Sequence, residues 1–509
     1  MSAYFIRRQR AMTRRFWGYA LPSIMAMLVS GAYYLVDGIF VGHYVGAAGL
    51  AGINLVYPVI MVLIGLAAMV AMGAATAISL QQGARNLALA RQALVNAFWL
   101  LGLLGALAPL LLHHWHTDIL LALGIAPDTE TWQQASDYLG WIGGGTLLLA
   151  SNLAVPYLLR NDGRPRLAMV LVSCGALLNI LLNYIMVGRL GLGLVGTAQA
   201  TLISEGVVSL LGLGYFFSSH ARLRLGWRQL VPSFPAMPKL LFTGLPSLIA
   251  QFNLGLLLLL HNSQLMVHGS VKDLAGFTVA GYTEAVFIVI LQGLAFGIQP
   301  LISQATGAGR LRDLRFLMAM GLKITLVYGM GVWLLIQLLP RQVAMLYTGD
   351  QDAELLAAAV SSLTLNLAAI PLEGIIMFGI VLLQSMARTR QALVISAAKT
   401  ALLLPLIFLL PLWWGRDGVL LAQPATVLLL TPPLCWLLWR EWRRLAQANP
   451  LLHQHSPALA SRVLARGERF VPAGPGRRVG GGGGQAPPPC YGSFTHLPAP
   501  PARREIAFR

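Results

Sequence analysis

Hydrophobic positions along the chain fall in long, nearly unbroken runs, with neither strand-like alternation nor a single helical stripe. Roughly twelve runs reach the ~20 residues that a helix needs to cross a bilayer. They cover 17–42, 48–82, 88–112, 132–158, 167–188, 193–217, 240–267, 274–305, 314–339, 355–384, 391–413 and 418–439. Helix is the expected form, because bilayer hydrocarbon offers the backbone no hydrogen-bond partner. The alternation of a porin strand is absent. Several runs exceed the hydrocarbon thickness, so tilt or overhanging ends are expected. The first run is too long for a cleavable signal peptide, and no small-residue cleavage site follows it.

The runs also recur. Leu21-Pro22-Ser23-Ile24 is echoed by Leu245-Pro246-Ser247-Leu248, an offset of 224 residues. At that offset Leu50-Ala51-Gly52 falls on Leu274-Ala275-Gly276, and Gly83-Ala84 on Gly307-Ala308. Arg164-x-Arg166 falls on Arg388-x-Arg390, and Ala198-Gln199 on Ala422-Gln423. A register kept without gaps over this span predicts two copies of one six-helix module. Six is an even number, so the copies are parallel repeats about an axis along the membrane normal, with the substrate path between them. The fold class expected is an all-α integral membrane protein of two six-helix bundles. Its predicted parts are a cytoplasmic segment 1–16, a lobe 17–217, a linker 218–239, a second lobe 240–440 and a tail 441–509. The tail contains GPGRRVGGGGGQAPPP, too rich in Gly and Pro to bury a core, and is expected to be disordered.

Composition agrees: 57% of the 509 residues are hydrophobic and 11% charged, against about 25% charged in soluble domains. A net charge of +18 suggests nucleic acid until its placement is read. With the N-terminus inside, the inner loops hold arginines at 7–15, 85–91, 160–166, 222–228, 310–315 and 388–390. The outer loops hold only Arg189, Lys272, Arg341 and Arg416, and gather Asp118, Asp128, Glu130, Asp137, Asp350, Asp352 and Glu354. That is the positive-inside asymmetry. It predicts cytoplasmic termini and no nucleic-acid partner.

Most other motifs carry little. Cys174, Cys435 and Cys490 have neither metal-ligand spacing nor an obvious pairing. His113-His114-Trp115-His116 reads as an interfacial belt in preference to a metal site. Gly191-x-Gly193-x-x-Gly196 matches a dinucleotide fingerprint in letters only, since no strand precedes it. Neither a Walker A nor a HExxH motif occurs, and no nucleophile–base constellation suggests an enzyme.

The informative residues are the carboxylates inside the spans: Asp37, Glu205, Glu284 and Glu373. Each would cost roughly 3 kcal/mol or more at a lipid-facing helix centre, so each is expected to face the interior or a partner. Glu373 lies near Pro371, where freed backbone groups could be its structural partners, and a functional role stands equally open. Asp37 follows Tyr33 by four residues on the same helix face, where a phenol could donate to it. Glu284 follows Tyr282 and precedes Gln292 by about two turns. At the repeat offset Asp37 is matched by His261 and Glu284 by Ile60, so the two lobes carry different ionisable groups.

The chain resembles the multidrug and toxic compound extrusion (MATE) transporters over about 15–440. The resemblance rests on VDGIFVG (36–42), RNDGRPRLAM (160–169), NILLN (179–183), GLGLVGTAQATLIS (191–204) and GIQPLISQATGAGR (297–310). It implies a V-shaped pair of bundles that alternates between inward and outward openings. It also implies export of organic, often cationic compounds in exchange for protons or sodium. The family's first-helix aspartate falls on Asp37, and its sixth-helix threonine on Thr201. Its Asn-x-x-x-Asp motif falls on Asn179-x-x-x-Asn183, so Asn183 stands where the second carboxylate is expected. The seventh-helix glutamate of other branches is absent, and Gln251 and Asn253 occupy that neighbourhood.

The expected coupling cluster is therefore Asp37, Tyr33, Asn179, Asn183, Thr201 and Glu205. Glu205, one turn beyond Thr201, either supplies the missing negative charge or hydrogen-bonds across helices. Counted inward from the outer surface, Thr201 should lie near the depth of Asn183, and Glu205 near that of Asn179. The expected cavity residues are Asn54, Tyr57, Gln251, Asn253, Tyr282, Glu284 and Gln292. One acid fewer favours protons over sodium as the coupling ion, and no other cofactor is expected. The expected partners are small organic cations and the lipid bilayer, with the monomer as the unit, in a bacterial inner membrane. The alternative is a flippase of lipid-linked saccharides. Such cavities carry cations for phosphate, whereas here Lys323 and Lys399 are the basic residues nearest the middle of a span.

Overall fold

The computed structural model describes residues 2–127, 129–349 and 352–447. Asp128, Asp350, Cys490 and the tail from 448 onward lie outside the described residues.

The first repeat begins with three long helices, α1 (Ser2–Tyr44), α2 (Ala47–Gly83) and α3 (Leu87–His114), then the short α4 (His116–Ala122). Its fourth span is the pair α5 (Glu130–Gly144) and α6 (Thr146–Asn161), followed by α7 (Pro165–Asn183) and α8 (Gly193–Tyr215). A π turn over Tyr184–Arg189 extends α7. The second repeat runs α9 (Met237–His268), α10 (Val271–Gly307), α11 (Leu311–Leu338) and the short α12 (Pro340–Thr348). It continues with α13 (Ala353–Asn366), α14 (Ile370–Ser385), α15 (Thr389–Leu409) and α16 (Pro411–Gln447). Among the described residues ten helices are long and apolar enough to span, or twelve if each bent pair counts as one.

Two features depart from the sequence expectation. Helix α1 starts at Ser2, so residues 2–16 continue the first span as a basic overhang; 43 residues of helix measure about 65 Å. The runs 132–158 and 355–384 each break into two helices, bent by 58° and 50°. The breaks fall at Gly145 and Ala369, which the offset of 224 superposes. Prolines inside other helices, such as Pro58 and Pro300, leave those helices continuous.

Local chemistry sets the ends. Ser270 and Asp273 form a reciprocal capping box at the start of α10. Pro165 opens α7 at its first position, where its missing N–H costs nothing. The glycine run between the π turn and α8 is a turn, with Gly191 and Gly193 at φ 65° and 58°.

The repeats meet along α1 against α10 and α2 against α9, with α2 and α10 touching at one end. Glycines make this seam close. A Cβ on Gly244 would strike the carbonyl of Met69, and one on Gly73 that of Leu240. Gly83 lies on the carbonyl of Gln304 while Gly307 lies on that of Leu80, a contact that the repeat offset maps onto itself. Polar bonds follow the same symmetry: Ser79 bonds Asn161, and Ser303 Oγ donates to the carbonyl of Ser385 at 2.8 Å.

The seam is one-sided. Its closed end is the face carrying Arg85, Arg164, Arg310 and Arg388, here called the basic face. There Asn161 Nδ2 donates to Gln299 Oε1 (3.1 Å), Gln304 Nε2 to Gln82 Oε1 (2.9 Å), and Arg8 to Asp313 (2.7 Å). Nearer the opposite, acidic face a Cβ on Gly31 would still meet Val289, and one on Gly65 would meet Leu248 and Gln251. Two turns beyond Gly31 and one beyond Gln251, a Cβ at Gly38 or Gly255 would meet nothing within 4 Å among the described residues. On the acidic face Lys272 is held by Asp352 (3.1 Å) and Glu354 (2.8 Å), and Arg416 by Asp273 (2.7 Å).

Candidate functional site

Asp37 lies two turns before the acidic end of α1, half-buried, and accepts a hydrogen bond from Asn183 Nδ2 at 2.7 Å. The same amide lies 3.1 Å from Asn179 Oδ1, one turn back on α7. Asn179 Nδ2 in turn donates to Thr201 Oγ1 on α8 at 3.2 Å. Asn179, Asn183 and Thr201 are all buried. A chain of amides thus runs from the carboxylate across three helices. Tyr33 sits one turn before Asp37 on α1, also half-buried.

The depth pairing differs from expectation: Thr201 is level with Asn179, not with Asn183. The π turn is the reason. Its i→i+5 bonds fit more residues into each turn, so it climbs less per residue than an α-helix and leaves Asn183 nearer the acidic face. Glu205 is buried and is bonded through Oε1 to Asn152 Nδ2 of α6 at 3.3 Å, while Oε2 has no hydrogen-bond partner. Asn152 was not anticipated; the signal was a lone amide in an apolar run of the neighbouring span.

The expected cavity residues divide into two groups. Asn54, Tyr57 and Tyr282 are exposed, Tyr282 stacking on Tyr347 of α12 with ring centroids 6.3 Å apart. Gln251 lies against Gly65 across the seam, and Gln292 is half-buried on α10. Glu284 and Asn253 instead reach into the second repeat. Glu284 accepts from Gln423 Nε2 of α16 at 2.7 Å. Asn253 donates to the carbonyl of Ser396 at 3.0 Å and accepts from Thr400, both on α15. Helical phase accounts for Glu284: it shares a face of α10 with the buried Phe287 and Leu291.

Next to Glu284 lies a pair that sequence reading left unassembled. Lys399 Nζ is 2.5 Å from Glu373 Oε1, with side chains 18% and 9% exposed. The partner of Glu373 is thus an ammonium from the next span, not the backbone freed by Pro371. Glu373 also sits in the first turn of α14, just past the break at Ala369, where the helix N-terminus favours a negative charge. Glu284, Glu373, Asn366 and Gln423 line one small void.

A family model described as MatE matches residues 22–185 and 246–409, two stretches that are themselves 224 residues apart. The chain belongs to the MATE family. Its relatives include the multidrug export protein MepA of Staphylococcus aureus, 24% identical over 428 residues, which span 82% of this chain and 90% of that protein. The MepA of Staphylococcus haemolyticus is 24% identical over 414 residues, spanning 79% and 88% of the two chains. Among solved structures, an outward-facing multidrug resistance MATE family transporter superposes with a TM-score of 0.80 at 24% identity, covering 86% of this chain and 97% of that one. A transporter of the MOP superfamily from Pyrococcus furiosus gives 0.79 at 24% identity, covering 86% and 97%. At that identity the solved structures speak to fold alone: this MATE chain has the two-repeat helical architecture of the family.

Proposed function

We propose that this chain exports organic cations from a bacterial cytoplasm across the plasma membrane, in exchange for protons moving inward. The observation that carries the reading is the Asp37–Asn183–Asn179–Thr201 chain. A single carboxylate among neutral amides has too few charged oxygens to hold a sodium ion well, but can take up and release a proton. The arginine-rich face is read as cytoplasmic, which makes the closed end inner and the open end outer. Glu284, Gln251, Tyr57 and Tyr282 are read as the residues that meet substrate in the opening. The names of the MepA relatives support multidrug export, and the working unit is taken to be one chain. Against a flippase of lipid-linked saccharides stands Lys399, whose charge is held by Glu373 and not free for a phosphate.

The test is dye uptake into inverted membrane vesicles, with proton and sodium gradients imposed separately. Uptake driven by the proton gradient alone, and lost in Asp37→Asn at equal protein level, is expected. Uptake driven by sodium alone would reverse the choice of ion. Uphill uptake by Asp37→Asn with unchanged ion dependence would remove Asp37 from the mechanism.

A further inference from the structure

The second repeat holds a charge cluster that the coupling reading does not use. Glu284 on α10 and Glu373 on α14 line the same void, and Lys399 on α15 pairs with Glu373 at 2.5 Å. Glu284 itself accepts from the neutral amide of Gln423. Four buried polar atoms of the lining have no hydrogen-bond partner among the described residues: Asn366 Oδ1 and Nδ2, Glu373 Oε2 and Gln423 Oε1. Such a concentration is unusual in a packed interior, and the void of ≈ 10 Å³ has room for about one water to complete the bonding. Glu284 is half-buried, flanked on α10 by the exposed Tyr282, Ala285 and Val286. It therefore stands between the cluster and the surface of its helix.

We propose that Lys399 is a tethered counter-cation that sets the charge of this subsite, so that the second repeat accepts organic monocations in preference to dications. The inference rests on the reading of Glu284 as a substrate contact. Counted formally, two carboxylates and one ammonium sum to one negative charge. A substrate bearing one positive charge neutralises it. A dication leaves an uncompensated positive charge in a poorly hydrated site, where Coulomb terms are large and unpaired charge is costly. A purely structural ion pair needs one acid, and the presence of Glu284 beside it leaves a second for the guest.

Ethidium and propidium test this, because they share one phenanthridinium ring and carry one and two positive charges. Binding of each dye is titrated by fluorescence with the full chain in lipid nanodiscs. Wild type should favour ethidium. Lys399→Met, which leaves two negative charges, should shift the affinity ratio toward propidium by about tenfold. Glu373→Gln, which leaves none, should shift it the other way by a similar factor. The charge-balanced Lys399→Met/Glu373→Gln should return within about threefold of wild type. Opposite shifts with recovery in the double variant are the signature of a charge count; a structural pair would give losses of one direction for both dyes. Should Lys399→Met fail to fold, Glu373→Gln and the double variant still carry the comparison. A ratio insensitive to both residues overturns the inference while leaving export intact. Wild type that binds neither dye removes the export reading, and this inference with it.

Discussion

The two repeats share a frame yet handle buried charge in opposite ways. In the first, one carboxylate, Asp37, is set among amides, and a second acid, Glu205, is bonded to Asn152. In the second, Glu373 pairs with the Lys399 ammonium while Glu284 beside it bonds Gln423, and the offset partner of Asp37 is the buried His261, bonded through Nδ1 to the carbonyl of Leu257 at 2.9 Å. A neutral amide places no counter-charge beside the carboxylate, whereas an ammonium at salt-bridge distance does. One frame can therefore house an acid set among amides and an acid paired with a cation.

The sharpest break of this comparison is Asp37→Asn against Glu284→Gln. The first should abolish uphill export; the second should weaken export of cationic substrates several-fold more than of neutral ones and leave the ion dependence intact. Parallel transport assays with one charged and one neutral dye check both. Next in size is stability. Lys399→Met leaves Glu373 buried without its partner, a loss of about 3–5 kcal/mol, and thermal unfolding in detergent should show a lowered Tm. Adding Glu373→Gln should recover most of it. Asn183→Ala removes a neutral donor and should cost only about 1–3 kcal/mol.

A smaller effect is expected for Glu205→Gln, because the Asn152 bond is neutral in kind and an amide can accept it. Coupling should survive with a reduced rate. Loss as complete as that of Asp37→Asn would mean that the family's second acid has moved from α7 to α8. The smallest contrast lies at the acidic face. The fourth span of the first repeat is capped by Thr129, and that of the second by Asp352. The backbone N–H of Leu355 and the Lys272 ammonium hold the Asp352 carboxyl below its usual range. Its contribution is thus present above about pH 3.9 and lost as pH falls through the lowered value. Hydrogen exchange at α13 should accelerate in acid more than at α5, and Asp352→Asn, which still caps, should remove the difference.

The spans and the repeat were legible because apolar run length and a gapless register survive in the letters. The break at Gly145 was not, since no proline marks it; Pro371 follows the break at Ala369, but both apolar runs continue through their breaks. At the site, Asp37 and its amides were legible through the Asn179-x-x-x-Asn183 spacing. The meeting of Lys399 with Glu373 was not. Their helices are adjacent in the chain, but which faces meet depends on the bend between α13 and α14. The inward turn of Glu284 was hidden for a related reason: α10 is apolar all round, so its pattern does not say which side faces the partner.

The self-symmetric contact at the basic end has a mechanical meaning. Helices α2 and α10 run in the same direction, with Gly83 on the Gln304 carbonyl and Gly307 on the Leu80 carbonyl. Sliding either helix along the other relieves one of these contacts and tightens its twin, so the pair acts as a stop against shear in both directions. Tilting the lobes apart loosens both at once and meets no such opposition. The seam therefore behaves as a bearing whose easy motion is a hinge, the motion that closes an opening at one end as it creates one at the other.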